Sequence, residues 1–184
     1  MSWMSTGRAL IDPTLVLRRA GLNVGQTYAD FGSGPLGHFV FAAADLVGPT
    51  GHVYAVDILK GALAGVESRI AMEGANQIKT VWGDIERPHG VNIPEGQVDI
   101  LSVNNITTLI LRSPGVLEEV KRALKPDGTL LLIDWKREVS PLGPAIEKRV
   151  DPETVSAAAE NAGFRRRSSF EAGPHHWGMV FDRV

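Results

Sequence analysis

A glycine-rich turn near the start of the chain restricts the fold more than any other feature. Residues 27–41 read TYADFGSGPLGHFVF, in which a short apolar run ends at Asp30 and glycines follow at Gly32, Gly34 and Gly37. Glycine tolerates a positive φ and, because it has no Cβ, lets another molecule approach the main chain closely. A strand, a glycine turn and a helix N-terminus in this order predict a place where backbone N–H groups meet a ligand.

The spacing of the three glycines matches the dinucleotide-binding fingerprint. In that fingerprint an acidic residue about 20 positions further on binds a ribose, and Asp57 is the candidate here. Glycine turns also follow strands without any ligand, so a plain strand-to-helix turn is the alternative. For Asp57 the alternative is a capping role at the start of a helix that begins near Leu59.

Size and composition predict one globular domain. With 184 residues, of which 43% are hydrophobic, the chain is long enough for a full core. We expect a single domain over 1–184, with an N-terminal helix or flap in 1–24 and a core in 25–184. The net charge of −2 argues against nucleic acid as a partner, and the oligomeric state is not predicted.

Several kinds of site and location are excluded or disfavoured by the sequence. The chain has no cysteine, which rules out disulfides, thiolate metal ligands and a cysteine nucleophile. Its five histidines lack the spacing of metal ligands, so we expect no metal site. No leader and no apolar run of membrane-spanning length is present, so we expect no membrane partner and a cytoplasmic location.

Predicted strands and helices alternate along the chain, which favours a three-layer α/β domain. The run 129–133 is apolar without alternation, as in a strand that is buried on both faces of a parallel sheet. A turn is predicted at 125–128, and the chain closes with a pair of strands. The predicted strands are 27–31, 52–58, 78–82, 98–103, 129–133, 166–170 and 177–182, and the predicted helices are 14–20, 36–47, 59–72, 113–124 and 151–161.

Three aspartates follow successive predicted strands. Asp30, Asp57 and Asp84 each lie at or near the carboxyl end of a strand. In open α/β sheets these ends face one crevice, where ligands bind at the switch in strand order. Because a carboxylate can accept from both hydroxyls of a ribose, the three acids predict a ligand with several hydroxyl and amino donors.

On these residues the chain resembles class I S-adenosylmethionine-dependent methyltransferases. Within this superfamily, its sequence segments are most similar to those of the small-molecule enzymes of the quinone-biosynthesis and arsenite-methyltransferase type. The resemblance covers roughly residues 25–135, in the order found in the family. The segments that carry it are DFGSGP at 30–35, LVGPTGHVYAVDI at 46–58, Gly83-Asp84, Val98-Asp99-Ile100, Asn104-Asn105 and LKPDGTLLLIDW at 124–135.

The resemblance implies an α/β fold of the Rossmann-like class I methyltransferase kind. Its doubly wound, three-layer sheet has seven mostly parallel strands, with the last strand antiparallel. It also implies S-adenosylmethionine as cofactor and methyl transfer by in-line displacement to a small-molecule acceptor that the sequence does not identify. The residues that it assigns to the cofactor are Asp30, Gly32, Ser33, Gly34, Asp57, Ile58, Gly83, Asp84, Ile85, Asn104 and Asn105.

The resemblance also gives these residues roles. The turn at 32–34 would lie against the methionine part of the cofactor, and Asp30 would orient its amino group. Asp57 would bind the ribose hydroxyls, and Asp84 would accept from the adenine amino group. The pair Asn104-Asn105 would border the sulfonium and the acceptor.

Two departures from the family pattern bear on the acceptor. Leu36 stands where the family usually has a glycine, which is displaced to Gly37. Residues 106–108 read ITT where the quinone and arsenite enzymes tend to carry a histidine. Since the arsenite enzymes also use cysteines, their absence argues against arsenic chemistry. A quinone precursor is one option among several.

Methyl transfer from a sulfonium needs little beyond alignment of the reacting groups, and positioning alone can contribute ~7–11 kcal/mol. No catalytic residue is therefore required by the sequence. A general base would come from loops near the ends of the later strands, where His175, His176 and Lys136 are candidates. The alternative is that the two histidines are surface or packing residues.

Other functions stay open at this point. A relative of the family that binds the cofactor or only keeps the fold, as a partner subunit, is the main alternative. A nicotinamide-dependent dehydrogenase would explain the glycine turn and Asp57, but not Asp30 or Gly83-Asp84, and the chain has no Tyr-x-x-x-Lys pair. An RNA methyltransferase is disfavoured by the lack of a basic surplus.

Overall fold

A computed structural model describes residues 10–184 as a seven-stranded sheet with helices on both faces. A single turn of 3₁₀ helix, Ile146–Lys148, lies in the loop before the last helix. The strands are β1 (Thr27–Phe31), β2 (His52–Asp57), β3 (Ile78–Trp82), β4 (Val98–Asn104), β5 (Leu124–Trp135), β6 (Phe164–Gly173) and β7 (His176–Arg183). The helices are α1 (Pro13–Ala20), α2 (His38–Val47), α3 (Lys60–Glu73), α4 (Thr108–Arg112), α5 (Gly115–Ala123) and α6 (Pro152–Asn161).

The strand order confirms the predicted fold class. Strands run in the order β3-β2-β1-β4-β5-β7-β6. β1 to β5 pair in parallel, whereas β7 is antiparallel to both of its neighbours, β5 and β6. The reversed last strand therefore lies inside the sheet. The order of strands changes direction between β1 and β4, which is where open α/β sheets bind ligands.

The sheet separates two apolar layers. On one face, side chains of α5 and α6 such as Val120 and Val155 pack against Leu130 and Leu132 of β5. On the other face, α1 and α2 pack against the intervening residues of β5, which include Leu131. This alternation confirms that the apolar run predicted as a two-sided buried strand is buried on both faces.

Two of the predicted helices begin at an aspartate that is followed by a proline. Asp12 accepts a hydrogen bond from the Leu15 N–H at 3.1 Å and precedes Pro13, the first residue of α1. Asp151 caps α6 in the same way, accepting from the Thr154 N–H at 3.0 Å. A side-chain oxygen at this position satisfies an N–H that the helix itself leaves unpaired.

One local prediction is wrong and one short helix was missed. The predicted helix over 113–124 is α5, and α4, which precedes it, was not predicted because it is only five residues long. The predicted turn at 125–128 lies within β5, since Val98 pairs with Leu124 and Ile100 pairs with Thr129. Four residues of β5 thus face the single residue Asp99 as a bulge, which the ion pair of Asp99 with Lys125 at 2.7 Å stabilises.

The N-terminal flap and the single domain over the whole chain both remain predictions. The N-terminal helix predicted within 1–24 is α1, but the flap predicted before it falls in residues 1–9, outside the described residues. A single domain over the whole chain is likewise untested. Within residues 10–184, no helix is long and apolar enough to cross a membrane.

A buried ion pair on α5 holds the loop between β3 and β4. The Glu119 carboxylate accepts from the main-chain N–H groups of His89 and Val91 at 2.9 and 3.1 Å. Arg122 pairs with Glu119 at 2.6 Å and donates to the carbonyl oxygens of Val91 and Ile93. Burial raises the pKa of Glu119, but Arg122 and the two amides outweigh it and lower the pKa below its usual range.

We predict that Glu119→Gln lowers the free energy of unfolding by about 1–3 kcal/mol at pH 7. Because the pKa of Glu119 is lower in the folded state than in the unfolded state, its ionised carboxylate stabilises the fold above the unfolded pKa. The difference in unfolding free energy between the variant and the wild type should therefore shrink below about pH 4. Urea unfolding at pH 7 and at pH 3.5 measures both effects. Glu118→Gln, at an exposed position of the same helix, is the control, and an equal effect of the two variants would contradict the prediction.

Candidate active site

The carboxyl ends of β1, β2 and β4 bring the predicted acids to one edge of the sheet. In the strand register, Asp30 of β1 lies beside Ala55 of β2 and Ser102 of β4. Asp57 is the last residue of β2 and pairs with Trp82, two positions before Asp84. The glycine turn leaves this edge between β1 and α2. The predicted strands therefore bring the three predicted acids to the same edge of the sheet.

The turn needs its glycines for both conformation and space. Gly32 and Gly34 have φ values of 84° and 62°, a region that favours glycine. The N–H groups of Gly32 and Ser33 donate to the Val56 carbonyl at 2.9 and 3.0 Å, which anchors the turn to β2. A Cβ added to Gly32 would lie 2.5 Å from Ile106 Cδ1, so the Ile106 side chain rests directly on the turn.

The departure at Leu36 does not distort the turn. Leu36 is 60% exposed, and its carbonyl accepts from the Arg69 guanidinium at 3.0 Å. Gly37, at φ 54°, supplies a left-handed residue immediately before His38, the first residue of α2. The helix predicted to begin at residue 36 begins two residues later for this reason.

Asp57 ties the turn to the start of α3. Its Oδ2 accepts from the Gly34 N–H at 3.0 Å and its Oδ1 accepts from the Leu59 N–H at 2.9 Å. Leu59 directly precedes α3, so the alternative predicted for Asp57, a helix-start role, matches one of these contacts. Each carboxylate oxygen still has capacity for a further donor.

Asp30 belongs to a buried polar network. Only 2% of Asp30 is exposed, and its Oδ1 accepts from Ser102 Oγ and from Asn104 Nδ2, both at 2.9 Å. Tyr28 Oη lies 2.5 Å from Ser102 Oγ. Two buried acceptors at this edge, Asn104 Oδ1 and Ser33 Oγ, have no hydrogen-bond partner among the described residues. Such atoms are rare in folded proteins and indicate a place for a ligand donor.

The environment of Asp30 shifts its proton equilibrium. Burial raises the pKa of Asp30 to about 7, against the opposing effect of the hydrogen bonds from Ser102 and Asn104. The carboxylate of Asp57 makes a smaller contribution to the same raised pKa. A carboxyl group that titrates near neutral pH at the mouth of a crevice is a common feature of functional sites.

The third predicted acid, Asp84, is already engaged locally. Its Oδ1 accepts from the Glu86 N–H at 3.0 Å, and its Oδ2 lies 3.1 Å from Arg87 Nε. A Cβ added to the preceding Gly83 would lie 2.6 Å from the Gly90 carbonyl oxygen. Gly83 is therefore required by the loop that follows β3, whatever else it contacts.

The two predicted isoleucines differ in their exposure. Ile58 is 53% exposed at the end of β2, and its carbonyl accepts from Trp82 Nε1 at 2.9 Å. Ile85 is buried in the core on the α5 side of the sheet. Ile58 can therefore contact a ligand on the open edge, whereas Ile85 contributes to packing.

Asn105 borders a second, polar pocket beyond β4 and β5. Asn105 has a positive φ of 59°, and its N–H donates to the Ile133 carbonyl at 2.8 Å. The neighbouring Asp134 accepts from the Thr107 N–H and hydroxyl at 3.0 and 2.6 Å. The pocket has a volume of about 490 Å³. It is lined by Asn105, Thr108, Asp134, Pro144, Glu147, Lys148, Arg149 and Val150.

One wall of this pocket is held by a single arginine. Arg149 is buried and donates to four main-chain carbonyls of the loop before it, those of Lys136, Glu138, Leu142 and Pro144, at 2.6–3.0 Å. Because four of its five N–H groups are used within the protein, the Arg149 guanidinium holds the loop together from its centre.

The three candidate bases lie at the ends of β5 and β7 and do not line the pocket. His175 Nδ1 lies 3.0 Å from a Glu138 carboxylate oxygen, and Lys136 Nζ donates to Glu171 at 2.9 Å. His176 is 1% exposed, its ring centre lies 4.1 Å from that of Trp135, and burial lowers its pKa to about 4. These contacts match the alternative of surface and packing roles, and a catalytic role stays a prediction.

Tyr28 and Ser102 were not predicted as part of the site, although the sequence carries a signal for them. Tyr28 and Asp30 are two residues apart on β1, as are Ser102 and Asn104 on β4, so each pair lies on one face of its strand. Polar residues in otherwise apolar strands would have indicated a shared network. Within residues 10–184, no group of three His, Asp or Glu side chains is placed to hold a metal ion.

The strand order, the glycine turn and the acids at the ends of β1 and β2 together define the S-adenosylmethionine-dependent methyltransferase class. The chain belongs to the family described as a methyltransferase domain, whose model matches residues 22–175. The predicted family and its cofactor are therefore confirmed at the level of the family.

Two curated proteins that are similar to this chain are also named as methyltransferases. An arsenite methyltransferase of Halobacterium salinarum is 25% identical over 143 residues, which are 78% of this chain and 35% of that protein. A ubiquinone/menaquinone biosynthesis C-methyltransferase of Bordetella parapertussis is 29% identical over 144 residues, 78% of this chain and 54% of that protein. The chain thus spans about half, or less, of the length of these curated relatives.

A solved structure matches nearly the whole chain. The crystal structure of a SAM-dependent methyltransferase from Aquifex aeolicus superposes with a TM-score of 0.89 at 28% sequence identity. The match covers 98% of this chain and 94% of that one.

We predict that Asp30→Asn stabilises the protein without ligand at pH 8. Because the pKa of Asp30 is raised, the folded wild type loses stability as the pH rises from about 4 to 7, and the neutral amide escapes this loss. Thermal unfolding of both proteins between pH 5 and pH 8 should show a difference that grows with pH. Asp45→Asn, at an exposed position of α2, should show no such growth. A variant that is less stable at every pH would contradict the assignment.

Proposed function

We propose that this chain transfers a methyl group from S-adenosylmethionine to a small-molecule acceptor by in-line displacement. One observation carries the proposal. The open glycine turn lies beside Asp30 and Asn104, and the buried Asn104 Oδ1 has no partner among the described residues. An amino group is the ligand donor that such a pair of acceptors fits.

The residues at the edge of the sheet fit the cofactor chemically. We propose that Asp30 and Asn104 face its amino group, that Gly34 leaves its methionine part room, and that Asp57 and Ile58 take its ribose and adenine. A Cβ added to Gly34 would meet nothing within 4 Å, so the main chain is open there. When bound, the cofactor supplies an electrophilic methyl group on a sulfonium.

The protein would contribute mainly by positioning. Ile106 lies on the glycine turn and belongs to the segment that joins β4 to α4, so it would form an apolar wall beside a cofactor bound at the turn. An apolar wall excludes water from a reacting cation, and alignment of the acceptor with the methyl group supplies the rest of the rate enhancement.

We propose that the acceptor binds in the pocket next to Asn105. Besides the engaged Asp134 and Arg149, its lining includes Glu147 and Lys148 on the 3₁₀ helix and the hydroxyl of Thr108. This lining suits a small polar molecule that carries both donors and acceptors. Pocket residues of this kind determine orientation and specificity.

The other candidate functions are less well supported. The family and the similar proteins are methyltransferases, which favours an enzyme over a non-catalytic relative and leaves a nicotinamide-dependent dehydrogenase without support. The net charge of −2 disfavours RNA as the acceptor. A cytoplasmic location remains part of the proposal.

We predict that Asp57→Ala weakens binding of S-adenosylmethionine and S-adenosylhomocysteine by at least about tenfold, because the ribose loses a charged acceptor. Isothermal titration calorimetry measures both affinities. Asp127→Ala is the control, since Asp127 is exposed at the other end of β5. Circular dichroism checks that the variant is folded, and unchanged affinity in a folded variant would remove the ribose role.

We predict that Lys148→Ala and Glu147→Gln raise the KM for the acceptor by about tenfold without changing the affinity for S-adenosylhomocysteine. Acceptors are first found by screening phenols, amines and carboxylates with the wild type for release of S-adenosylhomocysteine. Lys79→Ala, at an exposed position of β3, is the matched control. If the two variants changed only the cofactor affinity, the acceptor would have to bind elsewhere.

A further inference from the structure

A chain of hydrogen bonds reaches Asp30 from residues to which the proposed function gives no role. Tyr28 Oη lies 2.5 Å from Ser102 Oγ, and Ser102 Oγ donates to Asp30 Oδ1 at 2.9 Å. Tyr28 and Ser102 are both completely buried, and Tyr28 lies in the apolar layer beneath α1 and α2. A phenylalanine would fill the same space without burying a hydroxyl, so packing alone does not explain the phenol.

The protons in this network can be assigned by counting donors. The Ser102 hydroxyl has one proton, which it donates to Asp30. Asn104 Nδ2 donates to Ser102 Oγ at 2.9 Å, and Tyr28 must therefore be the donor in its contact with Ser102. Ser102 Oγ accepts twice and donates once. All of the hydrogen bonds in the network thus lead toward Asp30 Oδ1.

The second oxygen of Asp30 is left for another donor. Oδ1 holds both hydrogen bonds of the network, and no described residue donates to Oδ2. Asn104 uses its Nδ2 on Asp30 and Ser102, which leaves Asn104 Oδ1 buried and without a partner among the described residues. Two acceptors are thus free beside the glycine turn, and both side chains are fixed by Ser102.

We propose that Ser102, itself fixed by Tyr28, is a positioning residue that orients Asp30 and Asn104 toward the amino group of the cofactor. This inference rests on the proposed function, because it assumes that the cofactor's amino group is the ligand of Asp30. Ser102 and Tyr28 do not touch the cofactor in this scheme. They act through the carboxylate and the amide.

The positioning role of Ser102 can be measured through the pKa of Asp30, which depends on the groups around it. Of the ionisable groups near Asp30, the carboxylate of Asp57 on β2 raises its pKa and Tyr28 on its own strand is a neutral phenol, while β4 contributes only the uncharged Ser102 and Asn104. Burial raises the pKa of Tyr28 well above its usual value, so Tyr28 stays a proton donor at every pH of interest. Loss of the Ser102 donor removes an effect that lowers the pKa of Asp30.

The test is the pH dependence of S-adenosylhomocysteine binding to the full chain, measured by calorimetry from pH 5.5 to pH 9. For Ser102→Ala we expect the midpoint of the affinity profile to move up by about one pH unit, which gives about fivefold weaker binding at pH 7 and recovery at pH 9. Tyr28→Phe should move the midpoint in the same direction by less. The ligand's own amino group titrates equally in every experiment, so ratios to the wild type report on the protein.

Controls separate this role from a structural one. Ser156→Ala replaces an equally buried serine in α6 and should leave the profile unchanged. Ser102→Ala should shift the midpoint of the pH dependence of S-adenosylhomocysteine affinity. Asp30→Asn should abolish that pH dependence. An affinity that falls by the same factor at every pH in both Ser102→Ala and Tyr28→Phe would overturn the positioning role. A wild type that fails to bind at any pH would instead overturn the proposed function.

Discussion

The candidate site depends on the Asp30 carboxylate, which is buried where the parallel strands β1 and β4 pair. Asp30 has almost no contact with solvent, yet it sits at the point where the strand order changes direction. Burying a charge there is unfavourable unless donors accompany it. Ser102 and Asn104 provide those donors from β4, and the register of β1 against β4 brings them within hydrogen-bond distance. The pairing of β1 with β4 therefore determines both the centre of the sheet and the hydrogen bonds that Asp30 accepts.

Most of the fold could be predicted from the sequence because its signals are local. Apolar runs defined the strands, and the aspartate-proline pairs defined the starts of α1 and α6. The misplaced turn at 125–128 has a cause outside the local sequence. The KPDG segment carries every residue expected of a turn, but the ion pair between Lys125 and Asp99 lets β5 absorb it as a bulge. Pairing between distant strands decides such cases, and a single sequence does not report it.

The candidate site was predictable to the same extent. The glycines and the acids at strand ends follow from spacing and from the rule that parallel strands share one ligand edge. The spacing of residues in the sequence could not predict the hydrogen-bond partners, packing and pKa of each side chain. Asp57 already accepts from two main-chain amides, Asp84 is held by Arg87, and His176 is packed on Trp135 with a lowered pKa. These states arise from tertiary contacts that join segments far apart in the chain.

The loop gathered around Arg149 has an evolutionary consequence. Its shape depends on one guanidinium and on main-chain carbonyls, so most of its side chains are free to change without loss of the loop itself. Substitutions in residues 137–148 can then change what enters the neighbouring pocket, while the sheet and the edge that carries Asp30 and Asp57 stay the same. A constant scaffold with an interchangeable rim would let related chains share a cofactor and differ in what they modify.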